Sequence, residues 1–120
     1  MKFWLNGEFI ETTFDEDEQA QILSSEVSAD ANPYYDTDPG NDTVDKVFLL
    51  SVKEAEQYFA SDDSRICEYD GEACWWWLRS TGYGQQRASM ICVDGTIGKS
   101  YGYFVDSDFQ AVRPAMWVSK

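Results

Sequence analysis

Apolar residues fall in short runs along the chain, separated by polar and acidic stretches, and each run predicts a short element. Phe3–Leu5 and Glu8–Ile10 flank Asn6-Gly7. Asn-Gly accepts the positive φ angles of a type I′ turn, so this pattern predicts a β-hairpin over residues 3–10. Residues 28–45 are dense in turn formers and acids and are predicted to be a loop.

Two helices are predicted from their first residues. Asp15 with Glu18, and Ser51 with Glu54, have the spacing of a capping box. The first helix is expected to end near Ser24 or Ser25, and the second before Ser61. The predicted buried positions are Ala20, Ile22 and Leu23 in the first helix and Ala55, Tyr58 and Phe59 in the second.

The remaining apolar runs predict strands. Asp94-Gly95 has the composition of a hairpin turn, so the runs on either side of it are expected to pair. The predicted strands are Val47–Leu50, Cys74–Ser80, Ala88–Val93, Thr96–Ser100 and Ala111–Val118. Side chains alternate along a strand, so Trp75 and Trp77 are expected on one face and Trp76 on the other.

Charge is distributed unevenly over the 120 residues, which fit a single domain spanning 1–120. Residues 1–73 carry 19 acidic and 4 basic side chains, whereas residues 74–120 carry 3 acidic and 5 basic ones. The acidic part would repel a nucleic acid, so no nucleic-acid partner is expected. The near-neutral part holds 9 of the 19 aromatic residues. These aromatics form either a binding surface or simply core.

Histidine is absent. This excludes Ser-His-Asp and Cys-His nucleophiles and His-ligated zinc. The three cysteines, Cys67, Cys74 and Cys92, show no CxxC spacing and are an odd number. They are three free thiols or include one disulfide, and a Cys67–Cys74 bridge would close a short acidic loop.

Neither a metal site nor a cofactor is predicted. Asp36, Asp38, Asp42 and Asp45 suggest calcium, but Gly40, Asn41 and Val47 break the EF-hand pattern, which favours a solvated loop.

No segment is predicted to insert into a membrane. The longest apolar run, Ala73–Leu78, is far too short to span a bilayer. Phe3–Leu5 after Met1-Lys2 is too short for a signal peptide. The chain is expected to be cytoplasmic, or a domain of a longer cell-surface or secreted bacterial or phage protein. Oligomeric state is not indicated.

Two motifs carry a family resemblance. Trp76-Trp77-Leu78-Arg79-Ser80 and Val112-Arg113-Pro114-Ala115-Met116-Trp117 resemble the "WLRSPG … VRPALW" signature of a bacterial domain family of unknown function. Thr81 stands where proline is usual, and Ala111 where glycine is usual. That family is similar to proteins of the C-type-lectin-like fold, including formylglycine-generating-enzyme relatives and the variable proteins of diversity-generating retroelements.

The resemblance implies an α+β fold with two helices packed on small, twisted, mainly antiparallel sheets. It implies a non-catalytic module that binds a protein or surface glycan through residues 82–110, a segment that is diversified in the variable proteins. The alternative is a structural accessory domain of a larger surface protein without its own ligand. The motifs of calcium-dependent sugar binding, such as Glu-Pro-Asn, are absent. An enzyme is not expected.

Candidate ligand-binding residues lie between the two motifs, in a stretch whose Tyr, Ser and Gly content is like that of antibody loops. They are Tyr83, Gln85, Gln86, Arg87, Met90, Tyr101, Tyr103, Asp106 and Asp108. The motif residues themselves, Trp76, Trp77, Arg79, Arg113 and Trp117, are expected to be structural. For the two arginines, a structural ion pair and an anion clamp are both open.

Overall fold

The structure is a computed structural model that describes residues 2–35, 37–82, 87–97, 103–104 and 110–119, with backbone alone at 103–104. Its helices are α1 (Lys2–Leu5), α2 (Glu8–Thr13), α3 (Glu16–Gln21), α4 (Val52–Tyr58) and α5 (Asp62–Arg65). Its strands are β1 (Ser25–Val27), β2 (Thr43–Asp45), β3 (Cys67–Tyr69), β4 (Glu72–Cys74), β5 (Trp76–Thr81), β6 (Arg87–Ile91) and β7 (Tyr103–Phe104). The fold is therefore small α+β, with short helices and small antiparallel sheets.

The chain divides into two compact units. The first unit comprises Met1–Ser28, Asn41–Phe48 and Pro114–Lys120. The second unit comprises Ala29–Gly40 and Leu49–Arg113. The first contains the β1–β2 pair, and the second contains the β3–β4 pair and the three-stranded sheet β5–β6–β7.

The N-terminal segment of the first unit is helical, so the predicted hairpin over residues 3–10 is wrong. Asn6 N–H donates to the Lys2 carbonyl, and Gly7 has a φ of −123°, not the positive angle of a type I′ turn. The Asn6 side chain supplies the reason. Its Oδ1 accepts the backbone N–H groups of Lys46 and Val47, and its Nδ2 donates to the Val47 carbonyl. Asn6 therefore binds a distant segment, a use that local sequence does not reveal.

The capping box of α3 is confirmed, but the helix is shorter than predicted. Asp15 accepts the Glu18 N–H, and Glu18 accepts the Asp15 N–H. The helix ends at Gln21, before Ser24. Of the three positions predicted to be buried, Ile22 alone is, while Ala20 and Leu23 are exposed.

Two predicted strands are replaced by isolated pairings. Val47 and Phe48 are buried as expected, but Phe48 makes a single bridge with Ala115. Ile22 and Val118 form another bridge. Strand pairing also reaches into the predicted loop, because Thr43–Asp45 pairs with Ser25–Val27.

Helix α4 lies in the second unit, and its predicted capping box is confirmed. Ser51 accepts the Glu54 N–H, and Glu54 accepts the Ser51 N–H. Ala55 is buried as predicted, whereas Tyr58 is half-exposed and Val52 takes the other buried position. The helix ends before Ser61 as predicted, and Ser61 then caps the short helix α5.

The core of the second unit forms between α4 and strands β5 and β6. Trp76, Trp77 and Leu78 are all buried although successive side chains point to opposite faces, so β5 is covered on both sides. For Trp76 and Trp77, the core interpretation of the aromatics is therefore the right one. The main buried cluster consists of Val52, Ala55, Trp76, Leu78, Ile91 and Ile97.

Candidate functional site

The segment predicted to bind ligand, residues 82–110, begins directly after β5, and the residue that follows its end is hydrogen-bonded next to the start of β5. Gly82 N–H donates to the Arg87 carbonyl where β5 passes to β6. At the other end, Ala111 N–H donates to the Trp75 carbonyl, and the Ala111 carbonyl accepts Trp77 N–H. The start of the segment is thus held by the pairing of β5 with β6, and Ala111, which follows its end, is held by backbone hydrogen bonds to Trp75 and Trp77.

Residues 29–40 hold the beginning of this segment. Buried Asn32 donates through Nδ2 to the Thr81 carbonyl at 3.0 Å and to Ser89 Oγ at 2.7 Å. Thr37 Oγ1 donates to the Gly82 carbonyl at 2.8 Å. Sequence analysis assigned this stretch to a solvated loop and missed both residues, since hydrogen bonds across 45 or more positions leave no local signal.

The candidate binding residues are placed as follows. Tyr83, Gln85, Gln86, Tyr101, Asp106 and Asp108 lie outside the described residues, and Tyr103 is described by its backbone, which pairs with Ala88. Arg87 is half-buried at the start of β6. Met90 is 2% exposed and lies under Gln110, whose Nε2 is 3.8 Å from its Sδ. Met90 therefore supports the strand in this structure and presents no surface to a ligand.

Arg79 joins three segments of the second unit. Its Nη1 donates to the Leu49 carbonyl at 2.8 Å and pairs with Glu54, and its Nη2 lies 3.5 Å from Asp30 Oδ2. The Arg79 side chain is 16% exposed. Two carboxylates of this chain already engage the guanidinium, so an anionic ligand would have to displace one of them. The neighbouring motif residue Ser80 adds to the same junction by accepting the Val52 N–H at 2.9 Å.

Replacing Arg79 with methionine should lower the free energy of unfolding by about 2–4 kcal/mol, because it leaves two largely buried carboxylates without their cation. Urea unfolding followed by circular dichroism measures this. Lys53→Met, at an exposed position of α4, is the control and should stay within about 0.5 kcal/mol of the parent. Unchanged stability of Arg79→Met with lost ligand binding would instead favour the anion clamp.

Arg113 has a different environment from Arg79. Its guanidinium carbon lies 4.6 Å from the centre of the Trp76 ring and 5.2 Å from that of Phe59, which is a cation–π arrangement. Among the described residues, no atom accepts a hydrogen bond from its buried Nη1. The expected structural role is therefore supported by stacking on aromatic rings, and no described carboxylate forms an ion pair with Arg113.

The predicted turn at Asp94-Gly95 is confirmed. Gly95 has a φ of +82°, Gly95 N–H donates to the Cys92 carbonyl, and Ile91 and Ile97 pair across the turn. Hydrogen bonds from Thr96 Oγ1 and N–H lower the pKa of Asp94. Burial raises the pKa of the Cys92 thiol. Residues 98–100 of the second predicted strand lie outside the described residues.

Asp36 lies outside the described residues. Among the described residues, no three or more Cys, Asp or Glu side chains are grouped so as to hold a metal ion. No helix in that part of the chain has the length and apolarity to cross a membrane.

A family model for a domain of unknown function (DUF6273) matches residues 1–120. The chain belongs to this family. No curated protein and no solved structure matches the chain. Within this DUF6273 domain, the first motif lies in the second unit, whereas the second motif is divided between the two units. Its Arg113 belongs to the second unit. Its Trp117 belongs to the first, where it is half-exposed and its carbonyl accepts the Leu23 N–H.

Proposed function

We propose that this domain is a non-catalytic binding module of the C-type-lectin-like type, which recognises a protein or a surface glycan through residues 82–110. The observation that carries the proposal is that the segment begins directly after β5 and that Ala111, which follows its end, is hydrogen-bonded to Trp75 and Trp77. Binding residues are commonly found on loops positioned by a rigid scaffold. The scaffold here is well packed, since Trp76, Leu78 and Ile91 are almost fully buried.

Composition supports the same segment as the recognition surface. Residues 82–110 contain three acidic and two basic side chains, whereas the first 73 residues are strongly acidic. Tyrosine offers a large contact area at low entropic cost, and glycine and serine allow a loop to adapt. Tyr83, Tyr101 and Tyr103 occur among five glycines there, which suits recognition of varied partners.

Changing Tyr101 and Tyr103 to serine should abolish partner binding and leave the melting temperature within about 2 °C of the parent. Glycan arrays and a panel of purified bacterial surface proteins provide the partners, and affinity is measured by biolayer interferometry. Tyr69→Ser is the matched control, because Tyr69 is 77% exposed and lies outside residues 82–110. Binding that survives the double change contradicts the proposal.

The structural accessory domain is the other outcome. It predicts that no partner binds to the parent protein in either screen.

Sequencing the gene from related isolates gives an independent test of diversification. Changes concentrated in residues 82–110, with Trp76–Ser80 and Val112–Trp117 constant, would support a diversified binding surface. Evenly scattered changes would exclude diversification and leave a fixed ligand or a structural role.

A further inference from the structure

Cys67 and Cys74 are direct partners across the β3–β4 hairpin. The pairing runs Cys67↔Cys74, Glu68↔Ala73 and Tyr69↔Glu72 around a tight turn at Asp70 and Gly71, both of which have positive φ. Directly opposed residues of antiparallel strands have Cα atoms about 4.5–5.5 Å apart. A disulfide requires about 4.4–6.8 Å. The register therefore places the two cysteines within bonding range, although both are free thiols in this structure.

The two thiols also contact each other. Cys74 Sγ donates to the Cys67 carbonyl at 3.4 Å, and the two side chains are in hydrogen-bonding contact. Burial, followed by the neighbouring Cys67, raises the pKa of Cys74, and Arg113 acts in the opposite direction. The Cys74 sulfur therefore already lies against Cys67.

Few other contacts stabilise the β3–β4 hairpin. Residues 68–73 are all exposed, and β3 and β4 share three residue pairs. A two-stranded hairpin without a packed face is only marginally stable in water. The cysteines are its half-buried base, and Cys67 packs against the core cluster of the second unit. A bond between them would fasten the hairpin where it joins that core.

A small reagent can reach both thiols. A cavity of about 350 Å³ is lined by Cys74 together with Tyr69, Gln110, Ala111 and Val112. The Cys67 Sγ is exposed and lies 3.9 Å from the Glu68 carbonyl oxygen.

We propose that Cys67 and Cys74 form a reversible disulfide by exchange with low-molecular-weight disulfides. The thiolate of one cysteine attacks one sulfur of the reagent RSSR, and the S–S bond of the reagent breaks to release RS⁻. The thiolate of the other cysteine then attacks the protein sulfur of the mixed disulfide and releases a second RS⁻. The protein loses two protons and two electrons, and the reagent becomes two RSH molecules. This reaction does not depend on which ligand the domain binds.

The first test uses oxidised glutathione on the full folded chain with Cys92→Ala, which removes the third thiol. Trypsin cleavage after Arg65 and Arg79 leaves both cysteines in one peptide, residues 66–79. At the end point this peptide should have lost two hydrogen atoms and carry no glutathione. Adding either Cys67→Ser or Cys74→Ser should leave a lasting glutathione adduct on the remaining cysteine, because no second thiol can then displace the glutathione. An end-point adduct in the Cys92→Ala protein contradicts the proposal.

A redox titration of the Cys92→Ala protein tests the geometry without further changes. The folded chain should reach half-oxidation at a ratio of oxidised to reduced glutathione about tenfold lower than the same chain in urea, since the fold has already aligned the thiols. Equal ratios, or a folded chain that is harder to oxidise than the unfolded one, would show that the register does not favour the bond and would overturn the proposal.

Discussion

Alanine at position 95 should lower the free energy of unfolding by about 3 kcal/mol or more, since two penalties combine there. Gly95 has a φ of +82°, which an L side chain rarely adopts. A Cβ atom at this position would also overlap the Asp62 carbonyl oxygen. That oxygen belongs to backbone, so relief requires the turn or α5 to move. Movement would also disturb the 2.9 Å hydrogen bond from Arg65 Nε to the Gly95 carbonyl.

Gly71 provides the matched control for this substitution. Its φ is +83°, but nothing lies within 4 Å of the Cβ that alanine would add. Gly71→Ala should therefore cost only the backbone strain, about 1 kcal/mol. Urea unfolding followed by tryptophan fluorescence measures both variants. Equal losses at the two positions would mean that the packing of the turn on α5 adds nothing to the stability.

Truncating Trp76 to alanine should cost about 3–5 kcal/mol, the range for removing a fully buried aromatic side chain. The Trp76 side chain is 1% exposed, and its Nε1 donates to the Arg65 carbonyl at 3.0 Å. The ring also meets Phe59 edge-on and carries the Arg113 guanidinium. Alanine would leave a cavity, an unpaired carbonyl oxygen and an arginine with one aromatic ring instead of two.

Two further variants show how much of the loss comes from the Trp76 N–H donor and how much from the burial of the Trp76 ring. Trp76→Phe keeps an aromatic ring but loses the N–H donor, and should give an intermediate loss of about 1–3 kcal/mol. Trp117→Ala, at the half-exposed tryptophan of the other motif, should cost clearly less than Trp76→Ala. Denaturant midpoints from circular dichroism report all three. A Trp76→Ala loss no larger than that of Trp117→Ala would contradict the central position of Trp76 in the core.

Local chemistry explains which sequence predictions were confirmed. The capping boxes at Asp15 and Ser51 and the turn at Asp94-Gly95 depend on residues within three positions of one another, so their hydrogen bonds are available to a short segment. The N-terminal hairpin failed for the opposite reason. Its central residue Asn6 is held by Lys46 and Val47, 40 and 41 positions away, and the backbone around it is helical.

In the candidate site, too, local features were visible in the sequence and distant contacts were not. The sequence indicated the two motifs, through their resemblance to a family signature, and the aromatic segment between them. It did not indicate that Asp30 and Glu54 pair with Arg79, or that Asn32 donates hydrogen bonds to Thr81 of β5 and Ser89 of β6. Asp30 and Asn32 carry no sign of these partners, since loop residues of this kind are usually solvated.

By itself, the sequence determined the caps of two helices and the Asp94-Gly95 turn, which depend on propensity and spacing over a few residues. The small α+β class was implied by the resemblance of the two motifs to a known family, and the sequence left open whether the aromatic residues are core or a binding surface. The tertiary structure alone decided the partner of Asn6, the Arg79 network, the stacking of Arg113 and the alignment of Cys67 with Cys74. Those contacts depend on which distant segments meet, and the folded chain fixes that by burying its apolar side chains while pairing the polar groups buried with them.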